Sequence, residues 1–143
     1  MNIYIFSSNT LTNIWAGIGA NLWAVHKYEK KEFKSRAKSM PIGACGLLYC
    51  VETQSFTTPF IVKGAPKDIL IKDIWPEEWM LPFEIYPIGN PKKQLHKDKL
   101  GILPIIKGKE KSWHHILHIQ ANTAFSPTHI TEKDWSLIIN KLT

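Results

Sequence analysis

A chain of 143 residues has room for one domain around one core. Its 44% hydrophobic and 21% charged residues exclude wholesale disorder, and no apolar run approaches the roughly 20 residues that span a bilayer. Eighteen Lys and Arg against twelve Asp and Glu give a net charge of +6, an excess that suits a polyanion, because neutralised phosphates release counterions.

In chain order, residues 2–6 alternate and are β-rich, which predicts a first strand. The start has no basic n-region and no small-residue cleavage site, so it does not read as a signal peptide. Residues 10–15 predict a short helix capped by Asn9 or Thr10. Gly17 and Gly19 are expected to end it, since glycine disfavours a continued helix. Residues 29–40 predict a second helix with Phe33 and Ala37 on one face and lysines on the other, stopped by Pro41 and Gly43. Residues 45–52 and 56–63 then read as a hairpin whose second strand is at an edge or bulged, because Pro59 lacks an N–H. Cys45 and Cys50 fall on opposite faces of that first strand and are not expected to pair, which fits a reducing, cytoplasmic setting. Residues 68–79 are ambiguous, 81–88 read as a strand, and 92–101 form a basic stretch with one helical turn. Thr131 opens a last helix as its cap, with Asp134 a poor substitute for the Glu of a capping box, and Trp135, Leu137 or Ile138, Ile139 and Leu142 supply its buried stripe.

The basic residues are clustered. Lys27, Lys30, Lys31, Lys34, Arg36 and Lys38 face only Glu29 and Glu32 in one block, and a second, at 92–111, carries seven lysines against Asp98 and Glu110. Six tryptophans are many for this length. Trp15, Trp113 and Trp135 lie in or beside amphipathic elements and read as core. Trp23, Trp75 and Trp79 fall in glycine- or proline-broken segments, where an indole either fills a core gap or stacks on a base. His114 and His118 share a face if their segment is helical, but there is no third ligand nearby, so no metal and no cofactor is expected. His114 or His118 could equally touch a phosphate or sugar. Glu77 and Glu78 read as a solvated turn. No nucleophile elbow and no phosphate-binding glycine loop is present.

Ser8, Asn9 and Asn13, followed by Leu22-Trp23-Ala24, resemble the opening of YTH domains, modules that read N6-methyladenine. The segment 47–52 with Phe56, and Trp75-Pro76-Glu77-Glu78-Trp79 with the strand after it, resemble further YTH pieces. The break at Pro41-Ile42-Gly43, the stretch 83–88, Lys111-Ser112-Trp113 and the final helix are similar to the prokaryotic EVE domain, a sister within the PUA-like superfold. Ala44 stands where EVE domains usually have an acidic residue after the glycine. The resemblance spans nearly the whole chain, so residues 1–143 are expected to form a single α+β domain. Its fold would be a PUA-like (EVE/YTH-type) mixed β-barrel of about five to six strands flanked by short helices.

The resemblance implies a non-enzymatic module that recognises a modified base, flipped out of DNA or RNA. Trp23, Trp75 and Trp79 would wall its pocket. Asn9 and Asn13 would bond the base edge, and the backbone at Ser8 and Ala24 would complete the polar rim. Lys27, Lys30, Lys31, Lys34 and Arg36 would hold flanking phosphates. A monomer with no membrane partner is expected, and a link to modification-dependent restriction or RNA modification follows from the same likeness. The alternatives are a small ASCH-like nuclease or amidohydrolase using Lys63, Glu52 and Tyr49, or a nonspecific RNA-binding accessory domain.

Overall fold

The computed structural model describes residues 1–27, 31–119 and 123–143, with Lys31 described in its backbone only. Among the described residues, eight strands form one curled, mixed sheet. They are β1 (Asn2–Ser8), β2 (Leu22–His26), β3 (Cys45–Cys50), β4 (Ser55–Val62), β5 (Leu70–Ile71), β6 (Trp79–Pro87), β7 (Gln94–His96) and β8 (Pro127–His129). The main path runs β2-β6-β4-β3-β1-β8, with β5 added to β6 and β7 to β4. The count exceeds the five or six read from sequence because β5, β7 and β8 are only two or three residues long, too short to show a period. β1 pairs with β3 in parallel, Ile3 opposite Cys45 through Ser8 opposite Cys50. Such a pairing needs a crossover, and residues 9–44 supply it.

β1 and β3 are covered on both faces. Tyr4, Phe6, Leu48 and Cys50 point into one cluster with Trp23 of β2, Phe60 of β4 and Trp79 and Phe83 of β6. Ile3, Ile5, Leu47 and Tyr49 point into another with Leu95, Leu117, Ile138 and Leu142. The strand period of two thus divides one sheet between two half-cores. Both cysteines are free, Cys50 buried and Cys45 partly so.

Two bulges bend the sheet. Thr58 and Pro59 together oppose Leu47, and Leu81 and Pro82 together oppose Ala24. Both residues before the prolines have positive φ, 48° at Thr58 and 57° at Leu81. Pro59 therefore marks a bulge in an interior strand, not an edge: β4 lies between β3 and β6. Its missing N–H falls where β4 changes partner, from β7 at Ser55–Thr57 to β6 at Phe60–Val62.

Helix α1 (Leu11–Ala20) runs through both glycines that were expected to end it. Gly17 lies against β2, where an added Cβ would come within 2.8 Å of the Leu22 carbonyl and the Trp23 ring, so the missing side chain permits the close approach. Asn21 stops the helix in the left-handed conformation (φ 54°), its N–H donating to the Gly17 and Ile18 carbonyls. Helix α2 (Lys31–Ser39) buries Phe33 and Ala37. A 3-10 helix covers Lys97–Ile102. α3 (Trp113–Ile116) is a single turn. α4 (Glu132–Leu142) carries the complete capping box of Thr131 and Asp134 and buries Ile138 and Leu142, while Trp135 and Ile139 are half-buried.

Trp113 packs on Tyr49 and Phe56, with ring centroids 5.3 and 5.8 Å away. Trp15 is a correction to the sequence reading: it is 45% exposed. Ile14 and Gly17 form the buried face of α1, and position 15 lies about 100° from the one and 200° from the other.

Candidate functional site

The end of β1 and the start of α1 are stitched to the turn after β3. Ser8 is buried and its carbonyl accepts the Val51 N–H at 2.9 Å; the Asn9 carbonyl accepts the Glu52 N–H at 3.1 Å. Glu52 Oε1 in turn accepts the Leu11 N–H at 3.0 Å, a carboxylate set against the positive end of α1. Thr10 Oγ1 caps the helix by accepting the Asn13 N–H at 3.2 Å. These bonds fix the backbone and leave side chains over. Among the described residues, the amides of Asn9 and Asn13 make no side-chain hydrogen bond. Each amide offers both donors and an acceptor.

The aromatic residues meet beside them. Trp23 lies on β2, contrary to the loop position read from sequence, and Trp79 is the first residue of β6, across from His26. Trp75 and Trp79 stack face to face, 4.1 Å apart and 8° from parallel. Trp23 stands nearly perpendicular to both, at 5.7 and 5.5 Å. The Trp75 indole N–H donates to the Asn13 carbonyl at 2.9 Å, so α1 and the segment before β6 hold one another in register. All three indoles are under 5% exposed, yet they form one cluster.

A cavity of about 670 Å³ opens over this cluster, within the size range of small-ligand sites. Ser8, Asn9, Asn13, Trp23, Ala24 and Trp79 line it; Trp75 does not and lies behind Trp79. Residues that the sequence reading did not assign to the pocket complete the wall: Phe33, Glu52, His26 and Glu77 among them. Phe33 was legible only as the apolar face of α2. The carboxylate of Glu77 pairs with His26 Nε2 at the cavity's edge. His118 also reaches the cavity, whereas His114 does not. Among the described residues no group of three or more His, Cys, Asp or Glu is placed to hold a metal.

The expected phosphate contacts are more dispersed. Lys27 pairs with Glu78 at 2.9 Å, and Lys72 reaches the same carboxylate at 3.0 Å. The bonds from Lys27, then Lys72, hold the Glu78 carboxyl below the usual carboxylate range. Glu77 and Glu78, expected as a bare solvated turn, are thus ion-pair partners. Lys34 pairs with Asp68 at 3.4 Å. These pairs are exposed and weak. Arg36 is built into the fold: its Nη1 donates to the Ala124 carbonyl at 3.0 Å and to Ser126 Oγ at 2.8 Å, tying α2 to the segment before β8. Lys30 and the Lys31 side chain lie outside the described residues. Lys63, Glu52 and Tyr49 are not brought together: Lys63 sits over the Tyr86 ring, Tyr49 packs on Phe56, and Glu52 is at the cavity.

No helix among the described residues is long and apolar enough to cross a membrane. No protein-family model and no curated protein matches the sequence. Solved structures do match. The YTH domain of Zygosaccharomyces rouxii MRB1, in complex with N6-methyladenosine RNA, is 14% identical with a TM-score of 0.64, over 99% of this chain and 88% of that one. The Pho92 YTH domain in complex with m6A gives 15% identity and 0.63 over 97% and 81% of the two chains. The Mmi1 YTH domain gives 12% and 0.62 over 98% and 93%. The chain has a YTH-like fold.

Proposed function

We propose that the chain is a non-enzymatic reader of a modified base in nucleic acid, with RNA carrying N6-methyladenine as the leading ligand. The observation that carries this reading is the pair of unengaged amides, Asn9 and Asn13, facing the same cavity as two indoles. In this reading one extruded base would enter with its edge toward the amides and its ring against the parts of Trp23 and Trp79 that reach the cavity, so indoles only 1% and 4% exposed would have to open for full stacking. Trp75 and Trp79, 4.1 Å apart, leave no slot between them, so Trp75 backs Trp79 and anchors α1. Extrusion costs a few kcal/mol, and stacking worth about 1–3 kcal/mol per base offsets much of it. Burying a methyl group adds about 0.8 kcal/mol, close to fourfold in affinity. The likeness of fold to domains solved with m6A RNA supports the same ligand.

The test is a binding series of short RNA and DNA strands carrying N6-methyladenine, 5-methylcytosine or 5-hydroxymethylcytosine, beside unmodified controls. The expected result is at least about fourfold preference for methyladenine RNA. Asn13→Ala should abolish most of that preference at unchanged thermal stability, because only the backbone of Asn13 is bonded to the fold. Equal affinity for every strand would refute the reading.

A further inference from the structure

The cavity is larger than one base needs, and a feature beside it remains without a role. Trp15 is 45% exposed on α1 and is not among the hydrophobic side chains packed on either half-core. Exposing an indole forgoes one of the largest apolar burials a side chain can offer. Its position relates it to the cavity. Thr12 lines the cavity, and residues three and four apart on a helix are surface neighbours. Trp15 therefore adjoins Thr12 and Leu11. Helical side chains lean toward the N-terminus and cover the preceding turn, which here is the turn bearing Thr12 and the Glu52 contact at the cavity. Gly19, one turn further on, has nothing within 4 Å of where a Cβ would be. The strip Thr12, Trp15, Gly19 is thus an open helix face that begins at the cavity and carries one aromatic ring.

We propose that Trp15 is a second stacking platform, outside the cavity, for the unpaired nucleotide next to the extruded base. The proposal rests on the reader function above. A base is the fitting occupant for two reasons on this surface. A strand whose nucleotide enters the cavity keeps that nucleotide's neighbours at the cavity mouth, and Thr12 is among the residues that line the cavity. The protein's net charge of +6 also favours the polyanion that carries that base. Stacking of this kind is indifferent to base identity, so Trp15 would add affinity for a strand and leave the choice of modified base to the cavity.

The experiment compares N6-methyladenosine nucleoside with a nonamer RNA containing one N6-methyladenine, on wild type, Trp15→Ala and Trp15→Phe. The quantity read is the gain in affinity from nucleoside to nonamer. It should shrink about 5- to 160-fold in Trp15→Ala, as one lost stacking contact implies, and Trp15→Phe should restore most of it. The melting temperature should stay near wild type, because the ring is exposed. An unchanged gain in Trp15→Ala overturns the proposal, and so does an equal fall for nucleoside and nonamer, which would mean that Trp15 acts through the cavity. Loss of the gain in a protein that binds methylated and unmethylated nonamers alike would keep Trp15 as a platform and sink the base-reader reading instead. A wild type that binds no nonamer ends both.

Discussion

Gly17 and Gly19 lie on the same helix two residues apart, and the structure assigns them opposite fates on substitution by alanine. At Gly17 a Cβ would meet the Leu22 carbonyl at 2.8 Å and Trp23 Cε3 at 2.8 Å; at Gly19 it would meet nothing within 4 Å. Alanine gains about 1 kcal/mol over glycine in a helix interior, and that gain is common to both sites. Overpacking costs about 1–3 kcal/mol and falls on Gly17 alone, where one of the clashing atoms is backbone and cannot rotate away. Gly19→Ala should therefore raise the melting temperature, and Gly17→Ala should melt below it by about 2–12 °C, at about 2–4 °C per kcal/mol for a chain near this size. Paired thermal unfolding in one buffer measures the difference, with propensity cancelled. Relief of the clash by moving α1 outward also pulls the Asn13 carbonyl from the Trp75 indole, so ligand affinity should fall in Gly17→Ala only. Equal melting temperatures for the two variants would show that α1 does not rest on Trp23 as described.

Three further outcomes follow from the bonding. Asp134 is fully buried and accepts from the Ile105 N–H at 3.0 Å, the Thr131 N–H at 2.8 Å and the Thr131 hydroxyl; Asp134→Ala should lower stability by about 2 kcal/mol or more in chemical denaturation, since buried donors lose their acceptor, and a loss under about 0.5 kcal/mol would contradict this role. Glu78, held below the usual carboxylate range by Lys27 and then Lys72, contributes its pairing at and above the ordinary carboxylate value and loses it as pH falls through the lowered one. Carbon-detected titration of its carboxyl should show that depression, and Lys27→Ala or high salt should move the midpoint up; an ordinary midpoint in the wild type argues against the pairs. Burial pushes the Cys45 thiol up, so at pH 8 alkylation of Cys45 should be slower than for a free thiol, and Cys50 should react only on unfolding; rapid labelling of both in native protein would contradict their burial.

The resemblance of Ser8, Asn9, Asn13 and the tryptophan segments to YTH domains, and not periodicity or spacing, pointed to this region, and Ser8, Asn9, Asn13, Trp23, Ala24 and Trp79 do line one cavity. Ser8 ends β1, Asn9 leads into α1 and Asn13 lies in its first turn, so the three come from one short stretch of chain. The role of Trp75 was not legible, because its bond to the Asn13 carbonyl joins segments 62 residues apart in sequence, and its stacking on Trp79 takes it off the cavity wall. Gly17 misled for a related reason: local propensity reads glycine as a break, and only the approach of β2 turns it into a requirement. Trp15 shows the converse, since α1 carries enough apolar residues to place an indole inside by periodicity, yet Ile14 and Gly17 define the buried face. The charge block at 26–40 was visible, but the carboxylates that pair with it, Asp68 and Glu78, come from the segments leading into β5 and β6, more than thirty residues further along the chain.

β8 adds only three residues to the sheet, yet it covers the outer edge of β1, with Asn2 opposite His129, Ile3 opposite Thr128 and Tyr4 opposite Pro127. During synthesis that edge, flanked by the apolar run Ile3–Phe6, waits for more than a hundred residues before its partner exists. At about 5–20 residues per second, the nascent chain carries an open strand edge for several seconds, and open edges recruit other chains. Release from the ribosome before residue 129 would leave the edge permanently bare, so shortened products of this chain should self-associate even when the aromatic half of the sheet has already closed.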